Sequence, residues 1–433
     1  MGLAARACQA TLLRAAGQGV TRRVSTQVGV VGAGPAGLTA ALLLLRAGID
    51  VRLVERDPRA VVERRARAGL VEHRVAEFLC RQGLAGGLLA GGTRHGWCDM
   101  VVGGERIRVD YGRLSGGFRH WVYPQQRLVR DLVGALYALG RPPLFEQPAQ
   151  GVVDLQGRPR VPCRDVELVC DVVLCCDGPH GVGGAALSAA DAVGFRYPYD
   201  WLTASVRVDR PVAGVVYAVH ADGFAGLMPR AGHQARLYLQ VPPGTDAARW
   251  PAALVRRRFA ARMVGAADPP TVEEVVEVGV LRMRALVRPT VGRGRLLLAG
   301  DAAHVLTPSG AKGLNLAVAD AADAARSLIG WLRDGAARDE ALGGYARRRV
   351  AEAWRVQEFS DRLLSLLHLP PGSPADAAFH LLLRRERARD LAVPGPGAAS
   401  FAHWYAGSGE GPDPRGPVAG PRCDAGAKVH KQN

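Results

Sequence analysis

At 433 residues, 48% hydrophobic and 22% charged, the chain has a globular composition and room for two interdependent domains. No apolar run reaches the roughly 18–20 residues that a membrane-spanning helix needs, which excludes a membrane span. The net charge of +16 is nearly all arginine spread along the chain, with Lys312, Lys428 and Lys431 as the lysines; no zinc-ligand or RNA-binding aromatic motif accompanies it, so nucleic acid is excluded as a partner.

Residues 1–26 carry Arg6, Arg14, Arg22 and Arg23 and no acidic residue. That composition fits an organellar targeting peptide or an upstream extension of the reading frame, and order is expected to begin at Gln27. Residues 28–31 read as a buried strand, 36–47 as a helix and 50–54 as the next strand, which makes a β-α-β unit. Between the first strand and the helix lies Gly32-Ala-Gly34-Pro-Ala-Gly37. Gly32 permits the tight turn, Gly34 lets the backbone approach a pyrophosphate, and Gly37 lets helix and strand pack closely. The helix start then offers unpaired N–H groups to phosphate charge. Glu55 ends the second strand, where a carboxylate can accept hydrogen bonds from a ribose.

A strand-rich stretch runs from 98 to 245 and contains Asp171-Val-Val-Leu-Cys-Cys-Asp177-Gly178, a strand ending in Asp-Gly. Helical patterns cover 249–266 and 314–369. Between them, Arg295-Leu-Leu-Leu-Ala-Gly300-Asp301 is a strand ending in Gly-Asp. After Tyr405 the chain becomes Gly/Pro-rich and polar, a composition expected to be disordered.

The three signatures, in this order and spacing, resemble those of the class A flavoprotein monooxygenases. Several segments are closer still to the 4-hydroxybenzoate 3-monooxygenase (p-hydroxybenzoate hydroxylase) family. They are Arg65-Ala-Arg67-Ala-Gly69-Leu-Val-Glu72, Leu114-Ser-Gly-Gly117 with Tyr123-Pro-Gln125, and Tyr197-Pro-Tyr-Asp-Trp201-Leu. The most specific is Gly300-Asp-Ala-Ala-His304-Val-Leu-Thr-Pro308-Ser-Gly-Ala-Lys312-Gly-Leu-Asn315-Leu. The resemblance spans residues 27 to 406. It implies FAD as cofactor, NADPH or NADH as cosubstrate, and hydroxylation of an aromatic acid with O2 through a flavin C4a-hydroperoxide. 4-Hydroxybenzoate, giving 3,4-dihydroxybenzoate, is the first candidate. A cytoplasmic homodimer is implied as well, with no metal.

By the same resemblance, Arg67, Gln125, Asp301 and Arg236 contact FAD, with the backbone of Gly313, Leu314 and Asn315 near the flavin ring. Tyr217, Tyr405 and His95 match a relay that carries the phenolic proton to solvent, which suits groups that both donate and accept. The Pro308 carbonyl faces the phenol, and Asn315 lies near flavin and substrate. Arg230 and Tyr238 match the residues that hold the substrate carboxylate, a task suited to a planar, permanently charged fork. His180, Arg284 and Arg67 match contacts to the nicotinamide nucleotide.

Two positions depart from the family. Met228 stands where a Ser commonly donates to the substrate carboxylate, which leaves the exact aromatic acid open. Gly184 stands where an Arg is expected. Two further flavoenzyme classes lack their marks: only Cys80 lies where a disulfide reductase places a redox cysteine pair, and the W-x-W-x-I-P segment of a halogenase is absent. A non-catalytic FAD-binding sensor is the remaining alternative. The expected architecture is α/β, a Rossmann-like FAD-binding domain interleaved with a mixed β-sheet substrate domain and closed by C-terminal helices. The FAD-binding parts are 27–97, 126–194 and 286–330; the substrate parts are 98–125 and 195–285. Residues 331–406 form the helical region, with 1–26 and 407–433 as terminal extensions.

Overall fold

The computed structural model describes residues 22–65, 69–187, 192–266, 269–370 and 373–407. Most of the two terminal extensions, 1–21 and 408–433, and Arg67 therefore lie outside the described residues. The first sheet runs in the order Gly292–Arg293, Leu296–Leu298, Val166–Cys175, Arg22–Val31, Val51–Val54. Its three central pairings are parallel, with Val30 opposite Leu53 on one side and Leu174 on the other, and Leu297 opposite Leu174. Both faces are covered, so the central strands are continuous apolar runs such as Val28, Val30 and Val31, and Val172 to Cys175, all buried. The helices Pro35–Arg46 and Lys312–Leu332 pack against each other beside this sheet.

The first strand starts at Arg22 rather than at Gln27. Arg22 to Thr26 pair in parallel register with Val166 to Cys170, and the Thr26 hydroxyl donates to the Asp50 carbonyl at 2.9 Å. The polar Arg-Arg-Val-Ser-Thr run hides this in the sequence, because the strand is half-exposed there. The helical stretch 314–369 is likewise two helices, Lys312–Leu332 and Arg338–Leu367, separated by a turn in which Gly335 has φ 80°.

The second sheet has seven strands in the order Val272–Leu281, Asp200–Val208, Gln234–Val241, Ala225–Pro229, Val215–Val219, Cys98–Val102, Glu105–Val109. All pairs are antiparallel except Val215–Val219 with Cys98–Val102, so the sheet is mixed. Alternation sorts its side chains into two faces. Ala204, Ala218, Leu227, Leu237 and Leu239 pack on the helix Ala252–Arg262 through Val255 and Phe259. The opposite face presents Trp201, Tyr217, Phe224 and Tyr238 to Phe359, Leu363, Phe401 and Tyr405 of the C-terminal helices. A small third sheet pairs His120–Val122 with Leu70–Val71 and Thr93–His95. Among the described residues no helix is long and apolar enough to cross a membrane.

Candidate active site

The glycine turn is shaped as a cradle. Gly32 has φ +102°, and a Cβ on Gly37 would sit 2.0 Å from the Gly32 carbonyl oxygen, whereas a Cβ on Gly34 would meet nothing within 4 Å. Gly34 thus faces open space at the start of the helix Pro35–Arg46, which has no side-chain cap. The Glu55 carboxylate spans the turn, accepting the Ala33 N–H at 2.7 Å and the Asp57 N–H at 2.9 Å.

A buried ion cluster holds the Gly-Asp turn. Asp320 accepts the Gly300 N–H at 2.8 Å, His304 Nε2 lies 2.7 Å from the same carboxylate oxygen, and Arg349 Nε donates to the other at 2.6 Å. Burial alone would raise the Asp320 carboxyl, but His304 and Arg349 outweigh it and hold it below the usual range. Asp301 follows directly in a short 3-10 turn, Gly300–Ala302.

A cavity of about 470 Å3, counting the space at its open mouth, lies between the aromatic face of the second sheet and the segment after Thr307. Its walls include Tyr217, Met228, Arg230, Tyr238, Trp201 and Pro308. Strand register explains the grouping: Tyr238 lies opposite Gly226 and Thr203, and Tyr217 lies opposite Gly226 and Met100. Side chains at paired positions share a face, so Trp201, Tyr217, Met228 and Tyr238 reach the cavity from four strands. Arg230 is the cation of this pocket. Burial lowers its pKa, Tyr238 offsets this in part, and among the described residues no carboxylate pairs with it. Arg236, expected near the flavin, donates to the Ser205 hydroxyl at 2.8 Å and is not part of the pocket wall.

Tyr217 and Tyr405 meet hydroxyl to hydroxyl at 2.9 Å. Burial raises the pKa of both phenols, so at neutral pH they hold their protons and can pass them rather than store negative charge. His95, the expected third member, does not bond to Tyr405. Its Nδ1 lies 2.8 Å from the Tyr111 hydroxyl and 3.3 Å from the Trp97 carbonyl. His120 Nδ1 lies 3.0 Å from the same Tyr111 hydroxyl. Sequence reasoning passed over Tyr111 and His120; the signal available was two polar aromatics flanking the Leu114-Ser-Gly-Gly117 segment.

The turn between Pro308 and the helix Lys312–Leu332 is tight: Gly310 and Ala311 have φ 68° and 57°. The helix begins there with neither an acidic residue in its first turn nor a side-chain cap. Asn315 is the residue expected near flavin and substrate. Its amide is engaged within the protein, accepting the Glu72 N–H at 2.9 Å and donating to the Leu70 and Ala311 carbonyls at 3.1 and 2.8 Å. Lys312 is fully buried; it donates to Glu72 Oε1 at 2.6 Å, to the Tyr405 carbonyl at 3.0 Å, and to the Trp404 carbonyl. It thereby ties the C-terminal helix to the turn.

Residues 25–360 match the family described as FAD binding domain. The chain is 30% identical over 356 residues to p-hydroxybenzoate hydroxylase from Acinetobacter baylyi, covering 80% of this chain and 87% of that one. It belongs to the FAD-dependent aromatic monooxygenase family. It is also 30% identical over 379 residues to 3-amino-4-hydroxybenzoate 2-monooxygenase from Streptomyces cremeus, covering 80% and 89% of the two chains. The structure of a p-nitrophenol 4-monooxygenase from Pseudomonas putida shares the fold, with TM-score 0.70 over 85% of this chain and 98% of that one at 21% identity.

FAD is therefore the cofactor of this monooxygenase and NAD(P)H its cosubstrate. The residues present fit FAD. The open face of Gly34 and the uncapped helix start suit a pyrophosphate. The second uncapped start, at Gly313 and Leu314, suits a ring that gains negative charge on reduction. A Cβ on Gly313 would meet nothing within 4 Å, so a planar group can lie against that backbone. Gln125 opens the helix Gln125–Ala138 and is partly exposed. His180 and Arg284, both expected at the nicotinamide nucleotide, are neighbours, with Nε2 and Nη2 3.1 Å apart. Gly184 leaves room for another cation: a Cβ there would meet the Arg288 guanidinium at 2.4 Å.

Proposed function

We propose that this monooxygenase hydroxylates a phenolic acid, with 4-hydroxybenzoate as the first substrate to try. The observation that carries the reading is Arg230, a cation without a carboxylate partner among the described residues, on the wall of a cavity shared with Tyr217. A half-buried cation of this kind calls for an anionic ligand, and the guanidinium fork matches a carboxylate. Tyr238 stands beside it as a further donor. At the other end of the ring, Tyr217 accepts a hydrogen bond from the phenol while Tyr405 stands ready to take its proton. Loss of that proton puts electron density on the ring carbon next to the phenol oxygen, which favours attack there by an electrophilic oxygen. Bound FAD supplies the oxygen activation, and the apolar walls, including Trp201 and Met228, keep water out.

Two relatives fit this reading, since the names of both specify a 4-hydroxybenzoate skeleton. Met228 favours a second reading in which the ring carries an additional substituent. A thioether cannot donate to the carboxylate, so about 1.5–3 kcal/mol of binding is absent at that position, and an apolar group beside it recovers contact instead. The test is oxidation of NADH and NADPH by the FAD-loaded protein across a panel of phenolic acids, with products identified by mass. Stimulation by 4-hydroxybenzoate with a 3,4-dihydroxy product supports the first reading. Stimulation only by a ring-substituted relative supports the second. Bound FAD with no stimulation by any phenolic acid overturns both in favour of a non-catalytic sensor.

A further inference from the structure

Behind Tyr405 lies a polar cluster that the hydroxyl pair does not use. His95 and His120 are directly opposite each other in the antiparallel pair of Thr93–His95 with His120–Val122, so their rings project to one side. Their ring centroids are 5.8 Å apart. Tyr111 enters between them from a short helix, Tyr111–Leu114, whose start is fixed by Asp110 accepting the Arg113 N–H at 2.9 Å. The Tyr111 ring is tilted against Tyr405 with centroids 4.9 Å apart, and the His120 ring meets Tyr405 edge-on at 5.2 Å. The Cys98 thiol sits within hydrogen-bonding reach of the Tyr405 hydroxyl. His95, His120 and Tyr111 are buried, at 2%, 1% and 0% exposure.

Hydrogen-bond counting shows what the cluster can do. The Tyr111 hydroxyl faces three acceptors: the His95 carbonyl at 2.8 Å, His95 Nδ1 at 2.8 Å and His120 Nδ1 at 3.0 Å. One hydroxyl proton serves one of them, so at least one imidazole must donate from Nδ1. That ring then has a bare Nε2. The His95 Nε2 is buried and, among the described residues, without a hydrogen-bond partner, which is costly for a group that serves only packing. Burial also keeps both rings neutral: it lowers the pKa of His95 to about 4 and that of His120 well below its usual value. Neutral rings can pass a proton without holding it.

We propose that Tyr111 and His120, together with His95, form the inner limb of the proton path from Tyr405 to solvent in this monooxygenase. The inference rests on the phenolic-acid reading above. The substrate O–H bond breaks and its proton joins the Tyr217 oxygen; the Tyr217 proton passes to Tyr405, and the Tyr405 proton crosses to Tyr111, whose ring packs against it, through one bridging water that gives up a proton as it takes one. Tyr111 then delivers its own proton to a bare Nδ1, and that imidazole releases a proton from Nε2 to water. Every hydroxyl recovers one proton, no electrons move, and one proton leaves. Tyr111 and His120 are positioning and relay residues, since neither lines the cavity.

The test uses FAD-loaded protein without NAD(P)H. Ionisation of a bound phenolic acid is followed by its phenolate absorbance after a rapid pH jump. Tyr111→Phe keeps the ring and should slow phenolate formation at least about tenfold. The flavin spectrum, the substrate Kd and the melting temperature should stay unchanged, and the solvent isotope effect on kcat should rise. His120→Gln should do the same, and it carries the test if Tyr111→Phe does not fold. Wild-type phenolate rates in either folded, FAD-loaded variant overturn the inference alone. A wild-type protein that ionises no phenolic acid and shows no stimulated NAD(P)H oxidation overturns the functional reading and the inference with it.

Discussion

The dinucleotide cradle and the aromatic pocket are built on opposite principles. The cradle is made of backbone: a turn with Gly32 at φ +102°, a Gly37 with no space for a Cβ, and two helix starts without side-chain caps. The pocket is made of side chains. Tyr217, Met228 and Tyr238 come from three strands, Arg230 from just beyond the end of one of them, and Pro308 from a distant turn. A backbone site is specified by a few consecutive residues and tolerates no Cβ. A side-chain site depends on register between distant strands and can be retuned one residue at a time.

That contrast predicts a gradient of effects. Gly37→Ala should abolish FAD binding, read as loss of flavin absorbance in the purified protein, because its Cβ would lie 2.0 Å from the Gly32 carbonyl oxygen. A variant that retains FAD would break the contrast. Tyr217→Phe should keep FAD and lower hydroxylation by about 100-fold to 10,000-fold, the usual weight of a positioned proton-transfer group. Product formed per NAD(P)H consumed is the measurement. Arg230→Ala should weaken binding of an aromatic acid by roughly tenfold to a hundredfold, equivalent to about 1.5–3 kcal/mol, seen as a rise in Kd by flavin fluorescence. Met228→Ser should act in the opposite direction and tighten 4-hydroxybenzoate by about tenfold. No change there would mean that the thioether does not face the carboxylate.

The last effect concerns stability and is spread over several pH units. His368 accepts the Trp201 indole N–H at 2.9 Å and has its Nδ1 3.0 Å from the Leu364 carbonyl, which fixes a neutral ring; burial lowers its pKa to about 3. The unfolded chain takes up this proton near pH 6.5 while the native state does not. Stability is therefore lost as pH falls from about 6.5 to about 3, at about 1.4 kcal/mol per pH unit for this group. His368→Gln should flatten urea-unfolding stability against pH by about one proton between pH 6 and 4. A slope unchanged from the wild type would remove His368 from that role.

The same contrast explains what could be read before the fold was known. Gly32, Gly34, Gly37 and Glu55 were legible from local pattern alone, because turn, helix start and second strand are consecutive. The pocket residues were legible only through resemblance, since nothing in the spacing of Tyr217 and Arg230 says that they share a face. The hydrogen bonds of Asn315 to Leu70 and Glu72 could not be read from its own segment, because their partners lie far back in the chain. Tyr111 and His120 escaped notice for a related reason: their meeting with His95 is a consequence of strand register, which places residue 95 opposite residue 120. The strand start at Arg22 was hidden by its exposed, polar edge.

The pairing of Tyr217 with Tyr405 also has a bearing on how the enzyme comes into being. These hydroxyls are separated by 188 positions, so the contact closes a long loop and is an entropically late event in folding. The cradle, by contrast, closes with local contacts. A chain whose helix Pro396–Ala406 has not docked would keep the cradle yet lack the second hydroxyl. Such a half-assembled protein would lack the paired hydroxyls that the proposed reaction uses. The grip of Lys312 on the Trp404 and Tyr405 carbonyls is one of the contacts that hold the docked helix in place.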